Sequence, residues 1–329
     1  LFQEKETNNK WGYILLALFF ILFIYGDLVP TTLITNLSPS LLDMNTIFLS
    51  IVLEAIPFVL LGVFVSAIIQ TFVKEESLKR FIPSNPILAL FPAVTIGAIF
   101  PVCECAIVPI VRRLIQKGMP LHVGIVILVS APILNPIVFL STFYAFQTDL
   151  TIAWARMGLA LIVSIIIGGA IYSRFGNSWQ LIEPKSSIQH EHHHGNRLFE
   201  TLHHASDEFF NMGKFLLIGA MLASIIQTFM ARETLLDIGS GFLAGPAVMM
   251  GLAYFLSLCS EADAFVASSF SGLFSSSSIL AFLVYGPMTD LKNTILMAAY
   301  FRKRFVLMFI ITVTVVVYTI TLLFDLIYL

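Results

Sequence analysis

The stretch FVLLGVFVSAIIQTF, Phe58 to Phe72, recurs as FLLIGAMLASIIQTF from Phe215 to Phe229, an offset of 157 residues. The last five residues of the two copies are identical, and the correspondence continues downstream with little drift. Pro92-Ala-Val answers to Pro246-Ala-Val, Gly97 falls near Gly251, Cys103 near Cys259, and the Ala131-Pro132 break near Gly286-Pro287. A chain that repeats over so long a reach is built from two copies of one structural unit. The repeated stretch carries no charge, and the apolar segment around it, residues 47–73, exceeds the roughly 20 residues needed to cross a bilayer core.

The composition agrees with a membrane setting. Of 329 residues, 58% are hydrophobic and 12% charged, with a mean hydropathy of +0.91; a soluble domain carries about 25% charged residues. Eighteen basic and 20 acidic residues leave a net charge of -2, which does not suggest nucleic-acid binding. Candidate spans lie near 11–33, 47–73, 121–146, 152–173, 208–230, 274–300 and 305–324. The first, opening at Trp11, is one of many apolar stretches and so reads as a span rather than a lone signal peptide.

Two further apolar stretches, 87–111 and 240–270, contain acids and cysteine beside helix breakers. In the first, Pro92, Pro101 and Pro109 are expected to interrupt the helix; in the second, Gly239, Gly241, Gly245, Pro246 and Gly251 crowd the start. If each enters and leaves on one side, nearly all Lys and Arg, including Arg112, Arg113, Lys117, Arg174, Arg302, Lys303 and Arg304, share the cytoplasmic side, leaving Arg156 and Arg232 near the outer face. The expectation is an all-α polytopic membrane protein of two inverted repeats, with about seven full spans plus two re-entrant hairpins; eight or nine full spans is the alternative. The division is an extra N-terminal transmembrane helix and external loop (1–46), a first membrane repeat (47–174), a His-rich cytoplasmic linker (175–207) and a second membrane repeat (208–329). Inverted repeats are the plan of secondary transporters, whose substrate sites lie near the midplane on broken helices.

Ionisable side chains are costly in hydrocarbon and mark function. Glu54, Glu104, Glu261, Asp263, Asp290 and Lys292 are the candidates, and five acids against one base favour a cation or protons over an anion. The densest motif is Pro101-Val-Cys-Glu-Cys-Ala106. Two thiols flanking a carboxylate suit a soft metal ion, with Glu104 accepting protons released as Cys103 and Cys105 ionise. Cys259-Ser-Glu-Ala-Asp263 offers one more thiol, with Glu261 and Asp263; inert packing of all three cysteines is the plain alternative. Breaks at Ser130-Ala-Pro-Ile-Leu-Asn-Pro136 and Tyr285-Gly-Pro-Met-Thr-Asp290 place Asn135 and Asp290 at matching positions, as paired polar contacts along a path that Lys292 also lines. In the linker, His190, His192, His193 and His194 form a candidate metal-binding tract, or a solvated loop with fortuitous histidines.

The run PVCECAIVPIVRRLIQKGMPLHVGIVILVSAPILNPIV, Pro101 to Val138, resembles the predicted permease family that includes the ArsP-type organoarsenical efflux permeases, and within it the Bacillus-type subfamily. The likeness runs through both repeats. It implies a multi-pass permease of the bacterial cytoplasmic membrane, in which Cys103 and Cys105 match the cysteines implicated in handling trivalent arsenic, Cys259 less clearly. It also implies a second membrane subunit as a partner.

The sequence therefore points to a secondary transporter, not an enzyme, that moves a thiophilic metal or metalloid species by alternating access. The substrate would be a trivalent arsenical or a divalent metal such as zinc. No cofactor is expected beyond a bound metal ion, and without a P-loop the energy comes from an ion gradient or a partner. A membrane thiol-redox protein, and a permease subunit inactive without its partner, are the rival readings.

Overall fold

The computed structural model describes residues 39–72, 83, 85–99, 102–147, 150–176, 178–182, 197–229, 241 and 243–328. The expected span 11–33, the His190–His194 tract, Pro101, Gly239 and Arg232 lie outside them. The described chain is helical, with one isolated bridge between Leu181 and Phe301. Its helices are α1 (Pro39–Phe72), α2 (Leu90–Ile99), α3 (Glu104–Gln116), α4 (Leu121–Ser130), α5 (Pro136–Ala145), α6 (Leu150–Phe175), α7 (Arg197–Phe229), α8 (Ala244–Leu256), α9 (Ser260–Ser268), α10 (Ser276–Met288), α11 (Leu291–Tyr300) and α12 (Lys303–Tyr328). One long helix, four short ones and a second long one occur twice in the same order.

Among the described residues four helices are long and apolar enough to cross a membrane: Ser40–Phe72, Leu150–Phe175, Glu208–Phe229 and Lys303–Ile327. Their outward faces carry exposed apolar side chains, among them Leu60 and Phe64 on α1, Trp154 and Ile162 on α6, and Leu307 and Val315 on α12. Such continuous apolar exposure on a long helix is a lipid-facing surface. The expected spans 121–146 and 274–300 are each two shorter helices, α4 with α5 and α10 with α11. The helix α7 already starts at Arg197, inside the stretch assigned to the linker, and α1 at Pro39, inside the expected external loop.

Of the three prolines expected to interrupt the first odd stretch, Pro92 and Pro109 do not. Pro92 is the third residue of α2, and Pro109 lies inside α3. The first turn of a helix tolerates proline because its N–H groups have no intrahelical partner. At Pro109 packing prevails: Gly62 of α1 lies so close to α3 that an added Cβ would sit 2.6 Å from Ala106 Cβ. The break falls between Ile99 and Glu104, the interval of the sequence that contains Pro101, and Cys103 at the N-cap of α3 has extended φ and ψ. Cys259 holds the same place and backbone geometry ahead of α9.

Contacts fix the course of the chain. Leu90 of α2 and Val126 of α4 both abut Gly168 of α6, and Gly97 abuts Ser130, so α2 and α4 run the same way. After a tight turn at Gly118 (φ +95°), Gly124 of α4 faces Ile115 and Val111, so α3 runs opposite to α4. The outer ends of α2 and α3 therefore share one end of the bundle. Antiparallel packing also joins α1 to α7: Ser66 meets Glu208, while Ile51 and Val52 pack with Ala220 and Ala223. Phe175 at the close of α6 meets Phe305 at the opening of α12, ring centroids 5.1 Å apart.

One end of the bundle collects the basic residues. Lys117 Nζ donates to the Gln70 carbonyl at 2.8 Å, and Arg302 N–H donates to the Gln180 carbonyl at 2.9 Å. Arg112, Arg113, Arg174, Lys303 and Arg304 belong to the same helix ends, hereafter the basic end.

Candidate functional site

The helix breaks place the site. Asn135 caps α5, its side-chain oxygen accepting from Val138 N–H at 2.9 Å while its amide donates to the Ala131 carbonyl at 3.2 Å. Pro136 follows at the first helical position, preset for a helix start. Asp290 caps α11 in the same way, accepting from Asn293 N–H. The two residues are equivalents, as the sequence suggested, and each closes its own break.

At the α8–α9 break Ser257 adopts a left-handed conformation, φ 48° and ψ 44°. Its hydroxyl oxygen accepts from Leu291 N–H at 3.1 Å while the hydroxyl donates to the Tyr254 carbonyl at 3.2 Å, so the second half's two breaks are tied to each other. Gln227, from the repeated IIQTF, donates at 2.7 Å to the Leu256 carbonyl that the break leaves without a helical partner.

Across the halves, Lys292 reaches Glu104. Its Nζ stands 3.9 Å from Glu104 Oε1 and 3.6 Å from Asp290 Oδ2, and all three side chains are nearly inaccessible. Both separations exceed a hydrogen bond. The ammonium is thus held between two carboxylates by charge, with Cys105 and Glu54 also within its electrostatic reach. The Cys103 and Cys105 thiols, on either side of Glu104, are both buried and near enough to act on each other electrostatically. Cys259 is partly exposed, and its thiol pairs with the Glu54 side chain from α1. Among the described residues no three His, Cys, Asp or Glu side chains gather as ligands of a metal ion. In this conformation Cys103 and Cys105 form a pair, and Cys259 stands with Glu54.

Asp263 is buried against Gly286, where an added Cβ would come within 2.9 Å of its Oδ2. Glu261 is partly exposed on the same helix. Their charge partner is Arg156, absent from the sequence-derived set. Arg156, expected near the outer face, is fully buried, its guanidinium donating to Thr142 Oγ1 at 2.7 Å and to the Ser260 carbonyl at 3.1 Å. Each half thereby sends a cation to the first residue of the other half's broken helix: Lys292 to Glu104, Arg156 to Ser260. The interior thus holds two bases rather than one. The signal was in the sequence, since Arg156 interrupts the apolar run Leu150–Phe175.

Buried polar atoms without hydrogen-bond partners concentrate at these breaks: Glu104 Oε2, Ser260 Oγ, Asp263 Oδ2, Thr289 Oγ1, Asp290 Oδ2 and Asn293 Oδ1. Buried acceptors of this kind are ordinarily satisfied by protein, ordered water or a bound ion. A separate groove of about 510 Å³ between α8, α10 and α12 contains none of the sequence-derived site residues. Its tyrosine hydroxyls are engaged, Tyr254 with Thr294 at 3.2 Å and Tyr285 with Thr314 at 2.9 Å.

Comparison with known proteins gives the family. The profile described as "Predicted permease", ArsP_1, matches residues 40–326. The chain belongs to this permease family. It is 50% identical over 281 residues to UPF0718 protein YcgR of Bacillus subtilis, covering 84% of this chain and 95% of that one. It is 37% identical over 287 residues to a Streptococcus mutans protein named "Putative two-component membrane permease complex subunit", covering 86% and 95%. No solved structure is a significant match. The family and the apolar helices make this permease a multi-pass bacterial membrane protein.

Proposed function

We propose that this permease is a secondary transporter of two inverted repeats that moves a thiophilic metal or metalloid species, a trivalent arsenical or a divalent metal such as zinc, by alternating access. The antiparallel course of α1 against α7 and of α6 against α12 supports the inversion, and the returning course of α2 and α3 supports a re-entrant hairpin. The observation that carries the reading is the meeting of Glu104 and its flanking thiols with Lys292 and Asp290 of the other half, at helix breaks buried in the bundle. Groups contributed by both halves to one place change their spacing when the halves rock, which is what alternating access requires. Cys103 and Cys105 act as soft ligands, Glu104 and Asp290 as proton acceptors, and Lys292 as the fixed countercharge when substrate is absent. Cys259, Glu261, Asp263 and Asn135 line the remainder of the path.

The relative's name favours one refinement, that this chain works as a subunit beside a second membrane protein. The test is uptake by purified protein in liposomes against zinc, Cu(I), arsenite and methylarsenite, alone and with any protein that copurifies at fixed stoichiometry. Saturable flux of one of the four supports the reading. Absence of flux under both conditions, from protein shown to be folded, would overturn it.

A further inference from the structure

The site is not equally closed toward the two ends of the bundle, and the difference has a specific chemical cause. At the basic end Glu208 of α7, nearly inaccessible, receives two guanidinium groups from α3. Arg113 Nη2 stands 3.2 Å from Glu208 Oε2 and Arg112 Nη1 3.5 Å from Oε1. The Ser66 hydroxyl of α1 donates to the same carboxylate at 3.0 Å. Arg112 also lies over the Tyr300 ring of α11, 4.3 Å from its centroid, and Arg113 donates to Gln116 at 3.2 Å. One buried carboxylate thus fastens α3 and α1 of the first half to α7 of the second, with α11 held through Tyr300. None of these residues belongs to the proposed substrate site.

The repeat supplies the comparison. The counterparts of Arg112 and Arg113 are Ser268 and Ser269, whose hydroxyls bond carbonyls of their own helix, Phe265 at 2.8 Å and Val266 at 2.6 Å. Glu208 corresponds to Ile51, which packs in an apolar cluster with Ala220 and Ala223. Packing follows the charges: α3 lies closely along α1, whereas among the described residues the equivalent helix α9 makes no comparable contact with α7. Glu54, Cys259 and Glu261, on that looser side, keep exposed surface, while Glu104, Asp290 and Lys292 are buried.

We infer that Arg112, Arg113 and Glu208 form an ionic gate that closes the basic end of the permease, and that this structure is the state closed there and accessible from the opposite end. The inference rests on the alternating-access reading and gives it named gating residues. Opening toward the basic end then requires both guanidinium groups to leave Glu208, whereas the counterpart positions Ser268, Ser269 and Ile51 offer no such ion pair at the opposite end.

The test uses Met212→Cys, a buried position one turn from Glu208 toward the site. Modification of residue 212 by a membrane-impermeant maleimide, applied from each face and read by peptide mass spectrometry, allows the native cysteines to stay. In the otherwise native chain residue 212 should be protected from the basic face. Glu208→Gln should raise labelling from that face roughly tenfold or more, within the usual range of coupling between two states. Arg112→Gln with Arg113→Gln should do the same, which keeps the test alive if either variant inserts poorly. Unchanged labelling in both, from inserted protein, would overturn the gate while leaving liposome flux intact. Labelling that rises as expected in a protein transporting none of the four probe ions would keep the gate and remove the substrate reading.

Discussion

Replacing Lys292 with Met keeps most of the side chain's length and removes the charge between Glu104 and Asp290. Unit charges about 4 Å apart attract by about 4 kcal/mol at an effective dielectric near 20, and Lys292 has two such pairs, at 3.9 and 3.6 Å. Desolvation of three buried groups offsets much of that attraction, so the intact cluster adds little net stability. Removing one partner is different, because it leaves carboxylates buried without a countercharge, at about 3–5 kcal/mol. Lys292→Met should therefore lower folding stability in detergent by about that amount. Glu104→Gln in the Lys292→Met background removes one stranded charge and should restore part of the loss. The double-mutant cycle, measured from denaturant unfolding midpoints, should give a coupling of roughly 1–3 kcal/mol. Additivity within about 0.5 kcal/mol would show that Lys292 and Glu104 do not interact, and the cross-half meeting point would be lost with them.

Asp290 has two duties that substitution separates. Asp290→Asn retains the oxygen that caps α11 and should be about 0.5–2 kcal/mol more stable than Asp290→Ala, yet both should lose transport if the charge is what the site needs; equal stability of the two would argue against the cap. Gly62→Ala drives a Cβ to 2.6 Å from Ala106 and should cost about 1–3 kcal/mol by forcing α1 from α3. Gly213→Ala meets nothing within 4 Å and should be neutral or slightly stabilising in the same unfolding assay. Gln227→Leu strands the Leu256 carbonyl and should cost about 1–3 kcal/mol, visible as a lowered unfolding midpoint.

Much of the architecture was legible because it is written in local chemistry. The IIQTF repeat announced two equivalent long helices, and the Ala-Pro-Ile-Leu-Asn-Pro run contained both a break and the cap of the next helix, Asn135 ahead of Pro136. Asp290 was legible as its counterpart because cap and spacing coincide. The position of each break was harder, since a proline interrupts a helix only where neighbours do not compensate, and α3, packed against α1, continues through Pro109. Arg156 and Glu208 escaped for a different reason. Position in a span does not say whether a charged side chain turns to lipid, water or a partner, and their partners, Ser260 and Asp263 for one and Arg112 and Arg113 for the other, are remote in sequence. The pairing of Cys259 with Glu54 is equally long-range, so three thiols that looked alike in sequence occupy two settings.

The most direct test of the account is flux through single thiol variants. Zinc and methylarsenite uptake into liposomes should be measured for the native chain, Cys103→Ser and Cys105→Ser at matched insertion. Serine preserves shape and loses the soft ligand, so the account predicts that uptake of the transported species falls to background in both variants while the unfolding midpoint hardly moves. Native rates in both would contradict it, and would reduce the two thiols to packing residues.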